Sequence, residues 1–109
     1  MKYLTLVYRN SEIEMSPETF EGYRALTEEL AKTGALAGGR PLRPAPERSC
    51  SRRMDGKTSA RKGAVGLSAH ELVGFYLIDC ENEADAQEVA ARIPDAGHGF
   101  VEARPLLQH

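Results

Sequence analysis

An order of elements that occurs twice constrains this chain most. The run Tyr3, Leu4, Thr5, Leu6, Val7, Tyr8 reads as a strand and precedes a helix opened by Ser16 and Pro17. Phe75, Tyr76, Leu77 and Ile78 read as a second strand, ahead of a helix that begins near Asn82. Each helix is expected to lead into a return strand, and a basic, Pro/Arg-rich connection joins the halves. In the first strand both faces are apolar: Tyr3, Thr5 and Val7 on one, Leu4, Leu6 and Tyr8 on the other. A sheet wet on one side would alternate apolar and polar residues. The spacing predicts an α+β fold, a ferredoxin-like βαββαβ subunit whose antiparallel four-stranded sheet carries two helices on one face. Two helices cover only one face, so the other needs a partner. The economical one is a second copy, giving a dimeric α/β barrel. The alternative is that residues between Leu36 and Leu72 fold over that face.

The helix limits are well marked. Ser16 is placed to accept a first-turn N–H, Pro17 fits the first helical position, and Glu18 and Glu21 suit the positive end of the dipole. Phe20, Tyr23, Thr27 and Leu30, with Leu26 beside them, are expected to form the buried stripe, and Gly34 a left-handed stop. In the second helix Ala86, Val89, Ala90 and Ile93 form the stripe and Pro94 ends it. Phe100 to Arg104 alternate as a strand. The 109 residues suffice for one domain, residues 1–109, with a core that needs no metal or disulfide. No apolar run approaches the roughly 20 residues that span a bilayer. Arg9 and Asn10 interrupt the first apolar stretch, so no secretory pattern is read there and a cytoplasmic location is expected. Cys50 and Cys80 are too far apart for a paired redox or zinc motif, and both are expected to be free thiols. No metal site and no cofactor are expected.

Residues 40–62 hold eight basic residues against Glu47 and Asp55, whereas the remainder holds six basic and fourteen acidic residues. Such a segment can track phosphates, but it lacks the aromatic residues that stack on single-stranded bases. Nucleic-acid binding is therefore the less favoured reading, behind a solvated basic loop or an anion-lined pocket. Pro41, Pro44 and Pro46 exclude regular helix there. Gly38 and Gly39 stand alone, without a phosphate-cradling motif, and read as a turn.

The chain resembles the YCII-related family of the DGPF type. The resemblance is carried by Met1 to Tyr8, Met15 to Glu18, Gly34 to Leu36, Gly38 and Gly39 before Leu42, and Asp55 to Lys57. Gly74 to Asp79, Ala90 to Pro94 and Val101 to Pro105 continue it over nearly the whole chain. It implies a ferredoxin-like subunit of a dimeric α/β barrel, but little about activity. Some relatives are small-molecule enzymes, among them a dehydrochlorinase, and a His/Asp pair has been proposed as catalytic in the wider family. The Asp-Gly-Pro-Phe signature falls on Lys62, Gly63, Ala64 and Val65, so only its glycine survives. Arg40 replaces the acidic residue usual after the glycine pair. With two expected acids replaced by bases, a cleft lined by both positions favours an anion.

The functional expectation is a small-molecule pocket for an anionic or phenolic compound in a homodimer. Arg40 and Lys62 hold the anion there, while Arg9, Glu12 and Tyr76 supply the polar lining. His70, whose unperturbed pKa suits transfer near neutrality, is the candidate catalytic group for cofactor-free proton transfer such as isomerisation or elimination. His98 lies in a Gly-flanked turn and His109 is terminal. Tyr8 and Tyr23 are read as packed residues. The competing expectation is a non-catalytic dimeric binding or accessory protein that has lost the acidic centre.

Overall fold

The computed structural model describes residues 1–62 and 69–107, so Gly63, Ala64, Val65 and His109 lie outside the described residues. Strand β1 (Lys2–Asn10) leads into helix α1 (Pro17–Thr33), and β2 (Leu36–Pro41) follows. A 3-10 turn (Ala45–Glu47) precedes β3 (Ser49–Met54) and β4 (Lys57–Lys62). The second half is β5 (His70–Asp79), α2 (Glu83–Arg92), a 3-10 turn (Pro94–Gly97) and β6 (Gly99–Pro105). Neighbouring strands of the main sheet run antiparallel in the order β2-β5-β1-β6, the ferredoxin-like arrangement expected from the doubled strand–helix–strand order.

Caps define the helices. The Ser16 side chain accepts the Thr19 N–H at 3.2 Å, and Gly34, with φ 80°, turns the chain out of α1 in the left-handed region. Asn82 accepts the Asp85 N–H at 3.0 Å to open α2, and Pro94 follows its last residues. Tyr3, Val7, Tyr76 and Ile78 from the sheet pack with Leu26, Leu30, Ala86 and Ile93 from the helices and the residue that closes α2. Ile78 and Ile93 are essentially sealed from water, and burial of each contributes about 1.5–3 kcal/mol. Thr5 is tolerated in this layer because its hydroxyl bonds both the carbonyl and the N–H of Tyr76, at 3.1 and 3.2 Å. Phe20 departs from the expected stripe and is 62% exposed, because the buried line runs through Thr19, Leu26 and Leu30, with Tyr23 partly buried beside them.

Two local readings of the connection are corrected. Gly38 and Gly39 lie inside β2, paired with Leu77 and Tyr76, rather than in a turn. A Cβ on Gly39 would meet the Phe75 carbonyl oxygen at 2.8 Å, so glycine permits the close approach of β2 to β5. Residues 49–62 of the basic stretch are not a solvated loop but a separate two-stranded hairpin, with Ser49 opposite Lys62 and Met54 opposite Lys57. Its two-residue turn is Asp55–Gly56, with φ 51° and 76°; positive values at both positions match the right-handed twist of the strands.

The open face of the main sheet carries Leu4, Leu6, Tyr8, Leu72, Phe75 and Leu77, all half-buried, and Phe100, 47% exposed. Register places Arg40, Phe75, Leu6 and Glu102 in one row across it. The two-faced apolar pattern of β1 is thus realised: one face under the helices, the other uncovered by them. No helix among the described residues is long and apolar enough to cross a membrane.

Candidate functional site

The end of the sheet where β1 finishes gathers most of the chemistry. There Arg9 lies between Glu71 of β5 and Gly99 of β6, and Asn10 lies opposite His70. The two faces of this end are built differently.

On the helix face, the turn after α2 carries Asp95 into the interior, where it is fully buried. Arg9 grips it with both arms of the guanidinium: Nε donates to Oδ1 and Nη2 to Oδ2, each at 2.8 Å. From the middle of α1 the Tyr23 hydroxyl donates to Oδ2 at 2.5 Å. His98 Nδ1 lies 3.5 Å from Oδ1, an ion pair when the imidazole is protonated. Met15 Sδ lies 2.9 Å from Arg9 Nη2. Burial pushes the Asp95 carboxyl upward, but the Arg9 and Tyr23 hydrogen bonds together outweigh it and hold the group below the usual carboxylate range. For Tyr23 burial and the charge of Asp95 act in the same direction, and its hydroxyl stays protonated far beyond the ordinary range. The hydrogen bond to Asp95 likewise makes Arg9 harder to deprotonate. This carboxylate, with its charge matched and its lone pairs occupied, acts as a tie between β1, α1 and the α2–β6 connection.

On the open face, His70 meets Phe100 edge to face with ring centres 5.2 Å apart, and Phe100 stacks on Tyr8 at 4.7 Å with an interplanar angle of 19°. A titratable imidazole thus stands at the rim of an aromatic platform. That arrangement can receive a flat ring and exchange a proton with its substituents.

The expected site residues are divided by the sheet. Arg9 and Tyr76 lie on the helix side; the Tyr76 hydroxyl is bonded to Thr27 Oγ1 at 2.8 Å, and its ring is stacked with Tyr23 at 6.5 Å. His70 and Arg40 lie on the open side, Arg40 opposite Phe75 and exposed. Glu12 is exposed just beyond β1, its N–H bonded to Asn10 Oδ1 at 3.0 Å, and Lys62 is exposed at the end of β4. Two open depressions, of about 350 and 280 Å³, are lined by other residues: Met1, Lys2, Asp79, Leu106 and Leu107 for the first, and Gln87, Ala90, Ala91, Ala96, Val101 and Ala103 for the second. Among the described residues no three His, Cys, Asp or Glu side chains are grouped as metal ligands. Asp95 escaped the sequence reading because an acid after Pro94 in a Gly-rich turn looks like any solvated turn residue. Only the fold brings Arg9 and Tyr23 to it from 86 and 72 positions away.

Comparison with known proteins agrees with this architecture. The family description that matches residues 1–109 is the YCII-related domain. An uncharacterized protein of Rhizobium meliloti (strain 1021) is 26% identical over 114 residues, covering 97% of this chain and 92% of its own. Among solved structures, the fold is similar to that of 5-chloro-2-hydroxyhydroquinone dehydrochlorinase (TftG) from Burkholderia phenoliruptrix AC1100, in its complex with 2,5-dihydroxybenzoquinone. The TM-score is 0.53 and the identity 11%, covering 100% of this chain and 96% of the other.

Proposed function

The chain belongs to the YCII-related domain family, and on that premise we propose that it is a cytoplasmic homodimer that binds a small anionic or phenolic compound on the open face of its sheet. The observation that carries this reading is the His70–Phe100–Tyr8 contact: a protonatable group beside stacked rings on an apolar surface that the chain's own helices leave bare. The structurally similar dehydrochlorinase, seen with a dihydroxybenzoquinone, makes a phenolic ligand the natural first choice. Arg40, opposite Phe75, places a cation on that face, with Lys62 and Glu12 as outer polar groups. Arg9 and Tyr76, whose donors are engaged on the helix side, support the sheet end from behind.

The chemistry that asks least of such a site is cofactor-free proton transfer. Neutral His70 takes a proton from an activated carbon or hydroxyl of the ligand, and the resulting imidazolium returns it to another atom of the same molecule. Charge is conserved and no oxidant is consumed. A second reading, a non-catalytic binding or accessory protein, is favoured by Lys62 standing where the signature aspartate belongs.

Thermal unfolding with 2,5-dihydroxybenzoquinone, benzoate and inorganic phosphate tests the binding. At about 100 times the dissociation constant a true ligand adds about 2.7 kcal/mol of stability. Stabilisation by the ring compounds, lost in Arg40→Glu, supports the site. Proton exchange of the bound ring that depends on His70 separates catalysis from binding alone. Lack of stabilisation by either ring compound removes the phenolic reading.

A further inference from the structure

We propose that the cationic β3–β4 hairpin is an intersubunit arm that lies against the acidic surface of a second copy of this chain. The inference rests on the homodimer proposed above and adds how the copies are held.

The hairpin is distinct from the body in its bonding. Its strands form a sheet of their own, separate from the four-stranded sheet. Among the described residues Arg52, Arg53, Lys57 and Lys62 of the hairpin are exposed and make no ion pair with the body. An isolated two-stranded hairpin is marginal in water, so this one calls for a surface to lie on. Met54, 59% exposed beside the turn, and Leu42, 43% exposed where the chain leaves β2, give the arm apolar contacts at both ends. Strands of six residues reach about 20 Å, long for a connection but short for a subunit that measures 46 × 40 × 19 Å.

Charge selects the occupant. Residues 48–62 hold six basic residues and one acidic, whereas the rest of the chain holds eight basic and fifteen acidic. Glu81, Glu83, Asp85 and Glu88 around α2, and Glu12, Glu14 and Glu18 before and at the start of α1, have no ion-pair partner among the described residues. A second copy therefore offers the arm an acidic counterpart, and a two-fold axis makes the contact twice. A polyanion suits the arm less well. It has no aromatic residue between positions 48 and 62 for a base to stack on, and the acidic body would repel phosphates.

The test is sedimentation of the full chain at 50 mM and 1 M salt, compared with Arg52→Glu/Arg53→Glu/Lys57→Glu. The triple variant is expected to weaken the dimer by roughly tenfold or more at low salt, since exposed pairs are reversed twice over by symmetry. The difference should fade at 1 M, where the screening length is about 3 Å. Carbodiimide cross-linking of mixed heavy- and light-isotope protein should join Lys57 or Lys62 of one copy to a carboxylate of the other. That product should disappear in Lys57→Gln/Lys62→Gln, whose exposed positions leave the fold intact even where the triple variant unfolds. A protein that stays monomeric overturns the arm and the homodimer together. A dimer indifferent to the triple reversal, with cross-links only within one chain, overturns the arm alone. Oligonucleotide binding lost in the triple variant, with dimerisation unchanged, assigns the hairpin to nucleic acid and also overturns it.

Discussion

At the end of β1 the two faces of one sheet differ in burial, with a sealed carboxylate on one side and half-buried or exposed polar groups on the other. Under the helices, the fully buried Asp95 has Arg9 on both oxygens and Tyr23 on one, and its carboxylate is committed to holding the fold. Over the open face, His70 meets the stacked rings of Phe100 and Tyr8, and Arg40 lies opposite Phe75. Alternation along a single strand produces both, since Arg9 and Tyr8 are neighbours that point to opposite sides. A charged residue beside a candidate pocket is therefore no guide to binding until its face is known.

Substitutions can break this contrast. Asp95→Ala should be the most damaging, costing about 3–5 kcal/mol in urea unfolding, because it leaves the Arg9 guanidinium, mostly shielded from water, without its carboxylate. A loss below about 1 kcal/mol would show the cluster to be solvated. Next is Tyr23→Phe, expected to cost about 1.5–3 kcal/mol, as for a hydrogen bond to a charged group.

The same cluster should shape the pH dependence of stability. The Asp95 carboxyl is depressed in the folded chain, so its contribution is complete above the unfolded value of about 3.9 and is lost as pH falls through the lower folded value. The Tyr23 hydroxyl is raised, so its contribution is complete below the unfolded value of about 10 and declines as pH rises beyond it. Urea midpoints across pH should thus fall at both extremes, and the alkaline fall should shrink in Tyr23→Phe. An unchanged alkaline limb in that variant would contradict the Tyr23–Asp95 bond.

The smallest effects on stability should come from the open face. His70→Gln and Arg40→Glu are each expected to change the unfolding free energy in urea by no more than about 0.5 kcal/mol while removing the stabilisation by 2,5-dihydroxybenzoquinone. Should either variant destabilise the protein as strongly as is expected of Asp95→Ala, the contrast between a face built around a buried carboxylate and an open one would fail.

Much of this architecture is legible in the residues. The caps at Ser16, Gly34 and Asn82, the stop at Pro94 and the double-sided pattern of β1 follow from local chemistry. The hairpin is harder to see, because its strands alternate polar with polar and show no buried face, although Asp55–Gly56 is a strong turn signal in its own right. Phe20 was misplaced because a helix stripe about 100° wide leaves room for a neighbouring apolar residue outside it. The site was the least legible part. Which side Arg40 and Tyr76 occupy depends on strand register, and β5 carries a bulge opposite Val7 and Tyr8 that no local pattern announces.

The central position of β1 bears on how the chain is made. Its two neighbours are β5 and β6, so its ladder closes only with residues 70–79 and 99–105. At roughly 5–20 residues per second of synthesis, a strand apolar on both faces waits on the order of 5–20 s for its second neighbour. In that interval the nascent chain exposes a strand apolar on both faces, and contacts so distant in sequence also predict slow refolding. Conditions that hasten translation or supply a holdase should therefore raise the yield of folded protein more than changes to the helices would.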